Sequence, residues 1–221
     1  MDSVKDNTDT LSRHIVPAEV VQSPVVSIPQ QEEPKSAIFR KGRNPKIVVF
    51  DCDYTLYKYD CDKECIAPFT RDPLTHRVYD RYYRVSDPYE DVPYIVGAFV
   101  DAGIQVAFAS RNPSSNHVKS LLKAIPMYCK DGVYSLWDAM PSESYFQCYS
   151  SFRLGKGKTG HFIKIRLESK ILFKDMLFFD DFPDNTVPAS AMGITSVLLL
   201  NRRGLQWDDV ERGIHQWRAK N

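Results

Sequence analysis

The segment Ile47-Val48-Val49-Phe50-Asp51-Cys52-Asp53-Tyr54-Thr55-Leu56 limits the possible folds more than any other. Its apolar run is short, rich in β-branched residues and bounded by Pro45, which predicts a strand buried on both faces. The run stops at Asp51. A buried strand that ends in carboxylates fits the centre of an open α/β sheet, where ligands bind at the carboxyl ends of the strands. Side chains alternate along an extended chain, so Asp51 and Asp53 face one way and Cys52 the other. Two carboxylates on one side repel unless a cation or a proton lies between them. The same letters also fit an acidic turn that opens the next element, because D-x-D-x-T fixes only a few positions. The rest of the chain has to decide.

Further apolar runs follow at intervals that leave room for helices. Ile104 to Ala109 predicts a second buried strand, stopping at Ser110-Arg111-Asn112-Pro113. Tyr145 to Tyr149 predicts a shorter one. Met176 to Phe179 predicts another, ending at Asp180-Asp181, and Thr195 to Leu200 the last. Helical spacing appears from Pro93 to Ala102, stopped by Gly103, and again from Ser114 or Ser115 to Leu122, from Thr159 to Leu167 and from Asn185 to Met192. Leu205, Val210 and Ile214, with Trp207 and Trp217, predict a terminal helix. Strands that alternate with helices imply a parallel sheet with helices on both faces. Between Tyr57 and Tyr89, Thr75 to Tyr79 and Arg81 to Val85 have strand composition, and a β-hairpin flap is expected there.

Residues 1–44 differ in kind. Pro17, Pro24, Pro29 and Pro34 stand among Ser, Gln, Glu and Asp, a composition that buries too little surface to offset its ordering entropy. A disordered extension is expected there, with the basic residues Arg40, Lys41, Arg43 and Lys46 as a solvated hinge to a domain spanning 45–221. The role and partner of the extension are left open.

The formal net charge of +1 gives no global basic field for nucleic acid. No apolar run has membrane-spanning length. The start lacks a signal-peptide pattern, and the five scattered cysteines read as free thiols in a reducing compartment, cytoplasmic or nuclear. Cys61 and Cys65 have no second Cys/His pair at zinc-like spacing. Cys65 and Arg71 satisfy C-x5-R, but Pro68 stands where a phosphate-cradling loop wants glycine, and no buried strand precedes Cys65.

In a parallel sheet the polar strand ends converge. Asp51, Asp53, Ser110 and the Asp180-Asp181 pair would meet, with Lys158 at the start of an intervening helix. Oxygen-only carboxylate chemistry suits Mg2+, and lysine and hydroxyl donors suit a phosphate. Singly, Ser110 could be a helix cap, Lys158 a solvated loop charge and Asp180-Asp181 a loop start.

Together, Phe50 to Leu56, Ala109-Ser110-Arg111, Lys158 with His161-Phe162, and Phe178-Phe179-Asp180-Asp181 resemble the haloacid dehalogenase-like (HAD) phosphatases, and within them the magnesium-dependent phosphatase-1 (magnesium-dependent acid phosphatase) family. Pro88 to Pro93 is similar to that family's lead-in to its first helix. The resemblance runs from about Lys46 to Trp217. It implies a HAD-like, Rossmannoid α/β fold and a Mg2+-dependent phosphomonoesterase acting through an aspartyl-phosphate. Asp51 would be the nucleophile and Asp53 the general acid and base. Thr55 would orient the loop. Mg2+ would be held by Asp51, the Asp53 main-chain carbonyl and Asp181, with Asp180 as ligand or support. Ser110, Arg111 and Lys158 would bind the phosphoryl oxygens. Lys156 is the rival for the lysine role.

The intervals around Ser110 leave no room for a large cap domain. An open site of this kind admits phosphorylated small molecules and phosphoprotein side chains, phosphotyrosine and sugar-type phosphates among them. The flap residues Tyr57, Tyr59, Arg71, His76, Arg77, Arg81, Tyr82, Tyr83 and Arg84 either stack on a substrate or pack the hairpin on the sheet. A carboxy-terminal-domain-type protein serine phosphatase shares D-x-D-x-T and is the rival enzyme. A non-catalytic binding module on the same fold is the rival from another class.

Overall fold

The computed structural model describes residues 34–150 and 156–221, which belong to the compact body Pro34–Asn221. Its strands are β1 (Ile47–Phe50), β2 (Thr70–Arg71), β3 (Val78–Tyr79), β4 (Gln105–Ser110), β5 (Pro126–Cys129), β6 (Gly132–Ser135), β7 (Phe146–Cys148), β8 (Met176–Asp180) and β9 (Thr195–Leu198). Its α-helices are α1 (Val92–Asp101), α2 (Ser115–Ala124), α3 (Thr159–Ser169), α4 (Pro183–Ala191) and α5 (Trp207–Lys220). The central sheet has five strands in the order β7-β4-β1-β8-β9. Every pairing in it is parallel. β1 is the middle strand, and all four of its side chains are buried, as an unbroken apolar run in a parallel sheet requires.

Alternation along β8 shows how both faces are covered. Phe178 and Phe179 point to opposite sides. Phe162 of α3 packs on Phe178 with ring centroids 4.8 Å apart. On the other face, Phe99 of α1 meets Phe179 at 6.5 Å and Phe50 at 5.7 Å. Gly213 of α5 lies against Phe179, Val197 and Leu177 on that same face. Each fully buried phenylalanine contributes roughly 1.5–3 kcal/mol of transfer free energy, so this aromatic layer anchors the strand ends from both sides.

Three expectations need correction. The packed body begins at Pro34 rather than at residue 45, because Lys35–Arg40 forms a 3-10 helix that buries Ala37 and Phe39. Phe39 packs on Phe99 at 4.8 Å. The basic residues Arg40, Lys41, Arg43 and Lys46 are exposed, as expected, but they lie within the packed body and form no hinge. Arg43 donates to the Asn221 carbonyl at 2.8 Å, and Lys46 pairs with Asp175 at 3.0 Å. The rest of the expected extension, up to residue 33, lies outside the described residues.

The second correction concerns the flap. The hairpin pairs Thr70–Arg71 with Val78–Tyr79, not 75–79 with 81–85. Asp72 sets that turn by accepting from the Leu74 and Thr75 amides at 2.9 and 2.7 Å. Residues 81–85 make a tight return instead, closed on Asp80, with one bridge from Tyr79 to Val85. The third is a hairpin with no counterpart in the expectations, β5–β6, which packs against α1. Gly97 makes that contact possible: a Cβ there would sit 1.9 Å from the Tyr128 carbonyl oxygen.

Candidate active site

The carboxyl ends of β1, β4 and β8 open into one cavity of about 550 Å³. Asp51, Asp53, Ser110, Arg111, Lys158 and Asp181 all line it. Register explains the meeting. Phe50 is level with Phe108 on one side and Phe179 on the other, so the next residues of all three strands emerge together. The Asp51 amide continues the ladder by donating to the Phe179 carbonyl at 3.0 Å. The chain then turns sharply: Thr55 and Leu56 donate back to the Cys52 carbonyl at 3.2 and 2.8 Å. Cys52 is fully buried, so of the three residues 51–53 it is the carboxylates that face the cavity.

Lys158 is the electrostatic centre of the site. It is 1% exposed, and its ammonium pairs with Asp51 and, at 2.6 Å, with Asp180. Burial opposes its charge, but the Asp180 and Asp51 carboxylates outweigh burial and hold it above the ordinary lysine range. A buried ammonium without such partners would cost several kcal/mol, roughly. The backbone delivers Lys158 through Gly157, whose φ of +57° is left-handed and whose missing Cβ would lie 2.2 Å from the Asp184 carbonyl oxygen. Of the polar stretch expected from Ser150 to Lys158, residues 151–155 lie outside the described residues. Of the two candidate lysines, Lys158 lines the cavity and Lys156 does not.

The carboxylates divide by environment. Asp51 is pushed well above the usual carboxylate range by burial and by the charge of Asp180, with Lys158 pulling the other way. Burial also raises Asp53, and hydrogen bonds from Asn112 and the Cys61 amide partly offset it. Those donors lie 2.8 Å and 3.2 Å from its two oxygens. Thr55, fully buried, donates to Asp51 at 3.4 Å.

Asp180 and Asp181, adjacent in sequence, have different surroundings. Asp180 is 0% exposed, and both its oxygens are engaged, by Lys158, the Phe182 amide at 2.8 Å and the Asn185 amide group at 3.0 Å to each. Asp181 is half-buried and faces the cavity, its carboxyl raised by burial and then by Asp180. Carboxylate oxygens of Asp51, Asp180 and Asp181 lie within 4.8 Å of one another. Three carboxylates against one ammonium leave negative charge uncompensated, and the donors are all oxygen. Such a set fits a hard divalent cation such as Mg2+.

Ser110 is 1% exposed at the end of β4, and its Oγ accepts from the Asn112 amide at 3.1 Å. Its carbonyl accepts from His161 Nε2 at 2.8 Å and from the Tyr149 amide at 3.1 Å. A carbonyl only accepts, so His161 carries its proton on Nε2 there. The imidazole stacks on the Tyr149 ring at 4.1 Å. Burial, and then Lys158, press its pKa down to about 4, so it is neutral. Arg111 reaches Asn185 Oδ1 at 3.3 Å.

Asn112 and Asn185 contact the candidate residues, and the sequence pattern does not mark them. Asn112 joins Asp53 to Asp60, and Asn185 joins Asp180 to Arg111. Of the flap residues, none lines the cavity. Tyr57 and Tyr59 stack on each other and are buried. Arg71 donates to the Tyr134 carbonyl, Arg77 pairs with Asp87, and Arg84 pairs with Asp80. Arg81, Tyr82 and Tyr83 are exposed and stand outside the cavity. The loop directly after Asp53 supplies the outer wall: Tyr54, Asp60, Asp62 and Lys63.

Residues 43–220 match the model of a family described as Acid Phosphatase. A human protein, Magnesium-dependent phosphatase 1, is 29% identical over 165 residues, covering 75% of this chain and 84% of its own. A HAD-like hydrolase superfamily protein of Schizosaccharomyces pombe is 29% identical over 164 residues, covering 73% of this chain and 89% of its own.

Proposed function

The chain belongs to the acid phosphatase family, and on that premise we propose that it is a magnesium-dependent phosphomonoester hydrolase that works through an aspartyl-phosphate on Asp51. One observation carries the reading. The carboxylates of Asp51, Asp180 and Asp181 cluster around the buried Lys158 ammonium, at the mouth of a cavity that also holds Ser110 and Arg111.

The steps follow from the surroundings of each group. A carboxylate oxygen of Asp51 attacks phosphorus, and the bond from phosphorus to the ester oxygen breaks. Asp53, its carboxyl raised by burial, gives its proton to the departing oxygen. It then takes a proton from water, whose oxygen attacks phosphorus and releases inorganic phosphate and the Asp51 carboxylate. Lys158, Ser110 and Arg111 hold the phosphoryl oxygens while charge shifts. Thr55 and Lys158 fix the rotamer of Asp51. Asp180 acts as support, because both of its oxygens are already engaged by Lys158, the Asn185 amide group and the Phe182 amide. Mg2+, held by Asp51, Asp181 and the Asp53 carbonyl, would offset repulsion between the nucleophile and the phosphoryl oxygens.

The cavity has no cap over it among the described residues, which supports phosphorylated small molecules and phosphotyrosine side chains as the substrate class. Five free thiols support a reducing, cytoplasmic or nuclear, compartment. Among the described residues no helix is long and apolar enough to cross a membrane. The test is turnover of p-nitrophenyl phosphate with Mg2+ and with EDTA, followed by a panel of phosphotyrosine, phosphoserine and sugar phosphates. Turnover should require the metal. Equal rates in EDTA would refute the metal assignment, and phosphoserine peptides as the sole substrates would favour a serine phosphatase.

A further inference from the structure

The phosphate end of the cavity leaves one cation unexplained. Lys158 is committed to Asp51 and Asp180, Lys63 pairs with Asp60 at 2.6 Å, and Arg111 reaches Asn185. Arg202 lines the same cavity from the loop after β9 and forms no ion pair within 4.0 Å among the described residues. Of the acids in the wall, Asp60 is engaged by Lys63 and Asn112 and Asp62 by Ser114, while Asp181 feels the Arg202 charge without forming an ion pair with it. The Arg202 guanidinium lies over the Tyr54 ring, 5.2 Å from its centroid.

The backbone holds this pair in place at a cost. Tyr54, Asn201 and Arg202 have φ values of 57°, 63° and 50°, the left-handed region that bulky side chains rarely adopt. Three contacts fix the arrangement. The Tyr54 hydroxyl donates to Glu64 at 2.8 Å, the Tyr89 hydroxyl donates to the Arg202 carbonyl at 2.9 Å, and the Leu205 amide donates to the Thr55 carbonyl at 3.0 Å. A guanidinium laid on an aromatic face keeps its N–H edge free for paired donation to a carboxylate or phosphate.

We propose that Arg202, seated on Tyr54, is a subsite for a second anionic group, so that preferred substrates are phosphomonoesters with a carboxylate or further phosphate at the end away from the scissile ester. The inference rests on the phosphatase reading above for its phosphate end. The experiment uses ω-phosphonoalkanoic acids of increasing chain length and their neutral primary amides as non-hydrolysable probes, with Mg2+ present. Calorimetry should show the acid bound about tenfold more tightly than its amide at one chain length, the value of one charge-assisted contact. Arg202→Gln should bring the acid-to-amide ratio close to one, and Arg202→Lys should restore part of it. The corresponding phosphate esters should show the same preference in kcat/KM. An acid-to-amide ratio of about one at every length, or a preference that survives Arg202→Gln, overturns the subsite. A preference that depends on Arg202 in a protein that hydrolyses none of the esters supports the subsite and refutes the phosphatase reading instead.

Discussion

At the scale of single residues, the site depends on donors that hold its carboxylates in place. Asn185 spans Asp180 and Arg111, so Asn185→Ala should loosen both at once. Leaving a buried charged group short of a hydrogen bond costs about 1–3 kcal/mol, and kcat/KM on p-nitrophenyl phosphate should fall about tenfold or more. Asn112→Ala removes the closer donor to Asp53. It should lower kcat more than it changes KM, because the lost contact acts on the proposed proton carrier and not on the bound phosphate. Steady-state kinetics of both variants check this. That Asp51, Asp53, Ser110, Lys158 and Asp181 meet in one cavity is legible in the sequence, because each follows a buried strand or opens a helix, where the chemistry of the letter is unusual. Asn112 and Asn185 are not. An asparagine before a proline, or in the first turn of a helix, is what an ordinary turn or cap also contains.

At the scale of elements, the parallel sheet could be read from its apolar runs, since burial on both faces leaves continuous hydrophobic letters. The small hairpins could not. Pro126-Met127-Tyr128-Cys129 is half-buried and opens with proline, and its pairing with Gly132–Ser135 depends on contact with α1. The register of the flap is not legible because Asp72 and Asp80 both organise turns, and strand composition between them does not say which pairing wins. The contact of α1 with β5 yields a prediction. Gly97→Ala places a methyl group on the Tyr128 carbonyl, and the backbone shift it forces should destabilise the protein by about 1–3 kcal/mol. Urea unfolding measures that loss. Gly157→Ala acts on function instead. It strains a left-handed residue and pushes on Asp184, and the displaced Lys158 should lower turnover with the sheet intact.

For the whole molecule, the buried charges link stability to pH. His161 has a folded pKa of about 4 against an unfolded 6.5. Its pKa is depressed, so its contribution is fully present above 6.5 and is lost as pH falls through 4, where the native state must also take up the proton. The full contribution is on the order of 3 kcal/mol. Urea unfolding between pH 7 and pH 4 should show stability falling more steeply in the wild type than in His161→Gln. Parallel slopes would contradict the assignment. The carboxylate cluster makes the second prediction. Asp51, Asp180 and Asp181 repel one another without a cation, so Mg2+ at a hundredfold excess over its dissociation constant should stabilise the fold by about 2.7 kcal/mol. Thermal melts with and without EDTA should show the shift, and Asp181→Asn should remove most of it.

The central claim is that the Asp51 carboxylate itself takes the phosphoryl group. Its most direct test is borohydride trapping during turnover of p-nitrophenyl phosphate with Mg2+, followed by peptide mass spectrometry. Borohydride reduces an acyl phosphate to an alcohol, so the predicted result is homoserine at position 51, dependent on both substrate and metal. Turnover with an unmodified Asp51, or with the phosphoryl group on Cys65, would contradict it.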